Sequence, residues 1–475
     1  MIDITDYPKA EKVFSYFFEI TKIPRGSGNR TKITEYLVRF ANERNLEVIR
    51  DGNDNVIIKK NATKGYEDRP TVIIQAHTDM VAEKTPDCPL DMEKDGLIVF
   101  RDGDFIRAKG TSLGGDDGIG VAFALTILDS NDIPHPNVEA IFTSDEEIGL
   151  LGASKLDTSN LEGKFLINVD SDWEGIFTVG CAGGLRVDSR LPILREEYHG
   201  KSYELTVGGL LGGHSGVEID KNRANAIKII ARILSAIPDI RLVSLDGGNA
   251  DNAIPRDSKA VFITSSDVNS SFEKEVKRIK ENIDPTELGF TVKLSEKKCE
   301  SIPICEDATQ KILSLIKQVP TGVVTMSSDI DGLVETSLNI GIAETDNEAF
   351  TLSVSLRSSK DDEKTKLQNQ VTDIAEGLGA SVSTRGRYPA WEFKKDSKLL
   401  PLLIDIYEKM NNKSPIINIT HAGLECGIFA SKIDGVDCVS VGPTNFDIHT
   451  PNEHLSISST SRVYEFILEI LKNLQ

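Results

Sequence analysis

At 475 residues, with 39% hydrophobic and 27% charged side chains, the chain has the composition of a soluble globular protein and is too long for one ordinary core. Its 74 acidic against 54 basic side chains leave a net charge of −20, which argues against nucleic acid and anionic membranes as partners. The longest uncharged apolar stretch, GIGVAFALTIL (118–128), is far short of a membrane span.

The opening MIDITDYPKAEKVFSYFFEI has no basic segment followed by an apolar core and a cleavage site, and it reads as an amphipathic helix. Cys88, Cys181, Cys299, Cys305, Cys426 and Cys438 are scattered, with no C-x-x-C, so free thiols in a reducing cytoplasm are expected. To about residue 185, NVIIKK, TVIIQAH, VEAIFTSDEE and KFLINVDSD read as strands, and KITEYLVRFANER and 118–130 as helices. Such alternation predicts an α/β domain, a mostly parallel sheet covered by helices. The 118–130 helix is apolar on every side and is expected to be buried.

The character changes over 186–390. The order there is strand (KSYELTVGG), helix (221–237), strand (KAVFITSS), helix (272–283) and strand (GFTVKLSE). After Cys305 come a helix (309–318), two strands (VETSLNIGIAE, FTLSVSLRSS), a helix (364–377) and a strand (ASVSTRG). Two α+β units of the split βαβ kind, side by side, account for this order. From 391 the α/β character returns, with helices near 399–410 and 459–474 around the strand VDCVSVGP. The economical organisation is one domain (1–185 and 391–475) interrupted by an inserted α+β domain (186–390).

The polar residues that chemistry needs collect at strand ends. TVIIQAHTDM finishes a buried strand with His77 and Asp79, which project from one face because residues i and i+2 of a strand point the same way. Alone, this pair also fits a core histidine satisfied by an acid. GTSLGGDDGIG puts Asp116 and Asp117 ahead of the apolar helix, where Asp is also a preferred N-cap. AIFTSDEEIGLLG ends a strand with Asp145, Glu146 and Glu147, and KFLINVDSDW ends one with Asp170. VSVGPTNFDIHTPNEHLSI delivers His449, with Glu453 and His454 close behind. Ligands in open α/β sheets bind at carboxyl strand ends, so convergence of these residues predicts a metal site. His77, Asp116, Glu147, Asp170 and His449 suit two zinc-like ions, each with one His and one terminal carboxylate, sharing a bridging carboxylate. Such a pair can polarise a carbonyl and acidify a water. Glu146 is then free to act as base, and Asp79 to hold the second ring nitrogen of His77.

H-T-D-M after a strand, G-x-D-D-G-I-G, S-x-E-E-x-G, N-x-D and G-P-x(5)-H-x-P-x-E together resemble the two-zinc peptidases that include aminoacylases, tripeptidases and carboxypeptidases. GGLLGGHSGVEID, GGNADNAIPR and THAGLECGIF resemble the aminoacyl-histidine dipeptidase branch, and the likeness covers essentially the whole chain. The resemblance implies a catalytic domain with an inserted lid and hydrolysis of small unblocked dipeptides, Xaa-His among them. It implies two divalent ions, zinc first, with manganese or cobalt compatible. It assigns the bridge to Asp116 rather than Asp117, which spacing leaves open. It further implies His214 as oxyanion donor, Asn252 and Arg357 as substrate-binding residues, and Glu425 as partner of the substrate's α-amino group. A homodimer and a monomer are both compatible with it.

Three rival readings compete with this one. An N-acyl amino acid deacylase would share every ligand and differ in lid and pocket. A non-enzymatic peptide-binding relative should have lost Glu146 or a ligand, and none is lost. A doubly wound nucleotide-binding enzyme lacks the G-x-G-x-x-G after its first strand.

Overall fold

Val72–His77, Val138–Thr143, Phe165–Asn168 and Asp437–Ser440 are short runs dominated by β-branched and aliphatic residues, and they pair in parallel. The computed structural model, which describes residues 2–328 and 332–474, places them at the centre of an eight-stranded mixed sheet. Its order is Glu47–Arg50, Val56–Lys60, Val138–Thr143, Val72–His77, Phe165–Asn168, Asp437–Ser440, Ile176–Cys181 and Ile416–Thr420. Both ends of the sheet lie outside the parallel strands: Val56–Lys60 runs antiparallel to its neighbour, as does Ile176–Cys181.

The sheet belongs to the first of two compact units, made of Met1–Cys181, Trp391–Ile419 and Leu424–Gln475. The apolar helix is buried along its whole length, as all-round apolarity requires. It packs on the strand Val72–His77 and on the N-terminal helix Glu11–Ile20, whose Phe14 and Phe17 are fully buried. Each such side chain contributes roughly 1.5–3 kcal/mol by leaving water. The regular helix starts at Gly118, because Asp116 and Asp117 have non-helical backbones.

The second unit comprises Ala182–Ala390 with Thr420–Gly423. Its sheet contains two four-stranded halves. In one, Lys201–Gly208, Ile240–Gly247, Ser258–Thr264 and Thr291–Glu296 stand in the spatial order fourth, first, third, second. In the other, Gly183–Pro192, Val334–Thr345, Ala349–Ser358 and Ser381–Tyr388 repeat that order. This is the split βαβ arrangement twice, joined edge to edge at Gly247 and Ala343. The sequence reading passed over the strands Gly183–Pro192 and Ile240–Gly247, without which neither half closes. It also drew the helix 221–237 too long. A short 3-10 turn (Ile219–Lys221) ends at Asn222 with φ 49°, and the helix begins at Ala226. Asn225 caps it by accepting from the amides of Ile227 and Lys228.

The six cysteines are thiols. Among the described residues no helix is long and apolar enough to cross a membrane.

Candidate metal centre

The first unit gathers the strand-end residues. His77 terminates a wholly buried strand and is itself buried. Its Nε2 lies 2.9 Å from Asp116 Oδ1 and 3.5 Å from Asp170 Oδ1. The other carboxylate oxygen of Asp116 faces the second imidazole, 3.1 Å from His449 Nε2. His449 Nε2 is also 3.1 Å from Glu147 Oε1. Three donor triads result, His77–Asp116–Asp170, Asp116–Glu147–His449 and His77–Glu146–Glu147, and within each the atoms that can bind a cation all lie within 4.8 Å of one another. Asp116 is common to the first two.

The remaining acids divide sharply by what they face. Asp117 Oδ2 accepts from the His77 amide at 3.1 Å and Oδ1 from the Gly120 amide at 3.1 Å, which is a helix N-cap. Asp145 turns aside to the Gly28 amide (2.7 Å) and to Arg30 (3.1 Å). Glu146 is half-buried and offers its carboxylate to the same cluster as His77 and Glu147. Asp79 has two tasks. Its Oδ1 lies 3.5 Å from His77 Nδ1, and its carboxylate also accepts from the amides of Glu146 (2.9 Å) and Glu147 (3.3 Å). Asp79 thus lies beside the His77 ring, its carbonyl 3.2 Å from Nδ1, and holds the turn that carries Glu146 and Glu147.

The electrostatics follow from crowding. Burial opposes ionisation of Asp116, but the bonds from His449 and His77 outweigh it and hold the carboxyl below its usual range. Burial likewise opposes the charged form of His77, and Asp116, Asp170 and Asp79 overcome it to raise the imidazole well above its usual value. His449 is pushed up to about 11 by Asp116 and Glu147. Burial pushes Glu146 well above the carboxylate range, with Asp170, Glu147 and Glu425 adding to the push and His77 opposing it.

These donors fit a pair of cations. Glu147 Oε1 is buried and has no hydrogen-bond partner. It lies 3.1 Å from His449 Nε2, so an oxygen left without a hydrogen bond stands beside an imidazole nitrogen, as two donors to one cation would. Three donors drawn from His, Asp and Glu, leaving a fourth position open, are what catalytic zinc takes.

Glu425 is fully buried, with Oε2 accepting from Thr143 Oγ1 (2.6 Å) and Gln75 Nε2 (2.6 Å) and Oε1 unpartnered. Burial is the main cause that pushes it up to about 8. Gln75 in turn accepts from Asn168 Nδ2 at 2.6 Å, so a polar chain runs through the strands under the centre. The sequence reading missed this chain, although a Gln inside VIIQAH was the visible signal. It also missed Asp172, which burial and the neighbouring Asp116 and Asp170 push well above the carboxylate range. His454 is not part of the centre: its ring stacks on Phe446 and meets Phe105 edge-on.

His214, Asn252 and Arg357 belong to the second unit. His214 pairs with Ala253 across a two-residue ladder, next to Asn252, whose carbonyl accepts from the Ser215 amide. The amides of Gly216 and Val217 both donate to His214 Nδ1 at 3.2 Å, so in the neutral ring the proton sits on Nε2. Arg357 is buried, with Nη1 donating to Tyr388 Oη at 3.0 Å and Nε unpartnered. No carboxylate of the described residues forms an ion pair with it.

Residues 73–473 match the family described as Peptidase family M20/M25/M40. The chain is 34% identical over 473 residues to the cytosol non-specific dipeptidase of Escherichia coli K12, covering 98% of each. It superposes on the crystal structure of aminoacylhistidine dipeptidase from Vibrio alginolyticus with a TM-score of 0.89 and 33% identity, covering 98% of both chains. A Staphylococcus aureus tripeptidase shares the fold at a TM-score of 0.58 and 18% identity, again over 98% of both.

Proposed function

Since the chain belongs to the M20/M25/M40 peptidase family, we propose that it hydrolyses unblocked dipeptides, Xaa-His among them, at a dinuclear divalent-metal centre in the cytoplasm. The observation that carries this reading is the Asp116 carboxylate, each oxygen turned to a different histidine, with Asp170 and Glu147 supplying one terminal carboxylate to each side. His77, Asp116 and Asp170 would hold one ion, and Asp116, Glu147 and His449 the other. Zinc suits them first, and manganese or cobalt also. Bound there, the pair supplies Lewis acidity to a peptide carbonyl and to the attacking water.

The chain's own residues do the rest. Glu146, not needed by the two triads that share Asp116, takes the proton from the water and passes it to the departing amine. Asp79 fixes the tautomer and orientation of His77. His214, with its proton directed to Nε2, is proposed as donor to the developing oxyanion. Arg357 and Asn252 are proposed as substrate-binding residues. A buried guanidinium with neutral neighbours and a free Nε suits a carboxylate, which its fork can take bidentately. Glu425 stands as the proposed partner of the substrate's ammonium.

The test is one comparison under fixed conditions: a dipeptide, its amide, a tripeptide and an N-acetyl amino acid. The dipeptide should lead, and its amide should lose at least ~10²-fold in kcat/KM, as about 3 kcal/mol of lost carboxylate recognition gives. Equal rates on dipeptide and amide would remove Arg357 from its role. A preference for the N-acetyl amino acid would make the protein a deacylase.

A further inference from the structure

Two buried charges outside the proposed ligand set converge on the peptide that leads into Asp116. Glu453, 3% exposed, accepts from four successive amides: Leu113 (2.7 Å), Gly114 (2.8 Å), Gly115 (2.8 Å) and Asp116 (3.3 Å). Asn445 Nδ2 donates to the same carboxylate at 3.1 Å. Arg25, 1% exposed, works on the opposite polarity. Its Nη2 donates to the Gly114 carbonyl, and its Nη1 to the carbonyls of Thr78 (3.0 Å) and Asp79 (2.9 Å). Gly114 is therefore gripped at its N–H by an anion and at its C=O by a cation.

The Arg25 fork does a second thing. The Asp79 carbonyl that it holds lies 3.2 Å from His77 Nδ1. The same guanidinium thus connects the segment that orients His77 to the segment that carries Asp116. Only Arg has planar, divergent donors that can serve three carbonyls in this way. The Gly-Gly before the two aspartates answers to the same grip. Gly114 has φ +65°, and a Cβ there would run into the Arg25 guanidinium and Met80 Sδ. A Cβ at Gly118 would also fall on the guanidinium.

We propose that Arg25 and Glu453 are positioning residues that clamp the 113–116 segment, setting the separation between His77 and the bridging Asp116 and so the affinity of the centre for its ion pair. This rests on the dinuclear reading above. Backbone amides pointed at one carboxylate form a rigid nest, and outer groups that orient ligands control metal affinity by about 10–100-fold.

The test is titration of chelator-stripped protein with Mn2+, following the dissociation constants and the spin-coupled pair by electron paramagnetic resonance. In Glu453→Gln, which keeps the shape but turns an N–H against the nest, binding should weaken about 10–100-fold and the coupled signal should fall. Glu453→Asp, which keeps the charge, should recover part of the loss. Should Glu453→Gln fail to fold, Arg25→Lys, a cation without the fork, is read in the same way. Parent-like constants in a folded variant overturn the clamp, whatever happens to the melting temperature of the stripped protein. A parent that binds fewer than two ions overturns the dinuclear reading, and this one with it.

Discussion

Glu425→Gln should stabilise the metal-stripped protein, and by more as the pH rises. The carboxyl of Glu425 is fully buried and pushed up to about 8, from 4.5 when exposed. Between those values the folded state holds a proton that the unfolded state has released, so the parent loses stability as the pH climbs through that window. Below about pH 4.5 both states are neutral and the penalty is absent; above about pH 8 it is complete. The gap, at about 1.4 kcal/mol for each pH unit, makes the ionised form costly by on the order of 5 kcal/mol before the surroundings relax. A Gln keeps an oxygen for Thr143 and Gln75 and carries no charge to bury. It exchanges the unpartnered O–H of the protonated acid for an unpartnered N–H, which leaves the comparison at low pH near zero. The assay is the difference in Tm between variant and parent from about pH 5 to about pH 9 in chelator. At about 1 °C per kcal/mol for a chain of this length it should grow to a few degrees. A difference that stays flat across that range refutes the reasoning. Metal-loaded protein should show a smaller effect, because nearby cations favour the carboxylate. The same variant examines the ammonium-binding role, since an unchanged KM for dipeptides removes Glu425 from it.

Glu146→Gln should cost at least ~10²-fold in kcat while elemental analysis still finds about two ions per chain; near-normal turnover would mean that the proton travels elsewhere. Glu147→Gln should instead lose metal together with rate, which the same elemental analysis detects. Dialysis against a chelator should abolish activity, and readdition of Zn2+, Mn2+ or Co2+ should restore it. His214→Ala should lower kcat by about 10²–10³ with little change in KM; the reverse pattern, read from initial rates, would make the residue a binding group.

Much of the parallel core was legible because its strands are apolar runs that stop abruptly at His77, Asp170 or the DEE of 145–147, and a change from apolar to ionisable residues marks a strand end whatever the tertiary context. The two strands passed over were harder. Gly183–Pro192 carries Arg186, Asp188 and Arg190, and Ile240–Gly247 follows a helix after only a short turn, so neither stands out from loop. Which of Asp116 and Asp117 faces the histidines depends on backbone dihedrals that spacing does not encode. The role of Glu453, visible only as the last residue of its motif, and Arg25 altogether were opaque for a different reason. They act on main-chain atoms remote in sequence, and a main-chain partner leaves no trace in residue identity beyond the glycines it demands.

The strand Asp437–Ser440 stands in the interior of the first sheet, between Phe165–Asn168 and Ile176–Cys181, and the Ser440 and Ser171 hydroxyls meet at 2.8 Å across a long separation in sequence. This gives the site a birth order. On the ribosome His77, Asp116, Glu147 and Asp170 emerge early, but the sheet that aims them keeps a gap until the last part of the chain arrives, bringing His449 just behind the missing strand. A product cut short before that point has no partial activity to offer, only two open strand edges of the kind that invite aggregation. Turnover by this protein therefore requires that the strand Asp437–Ser440 has been inserted.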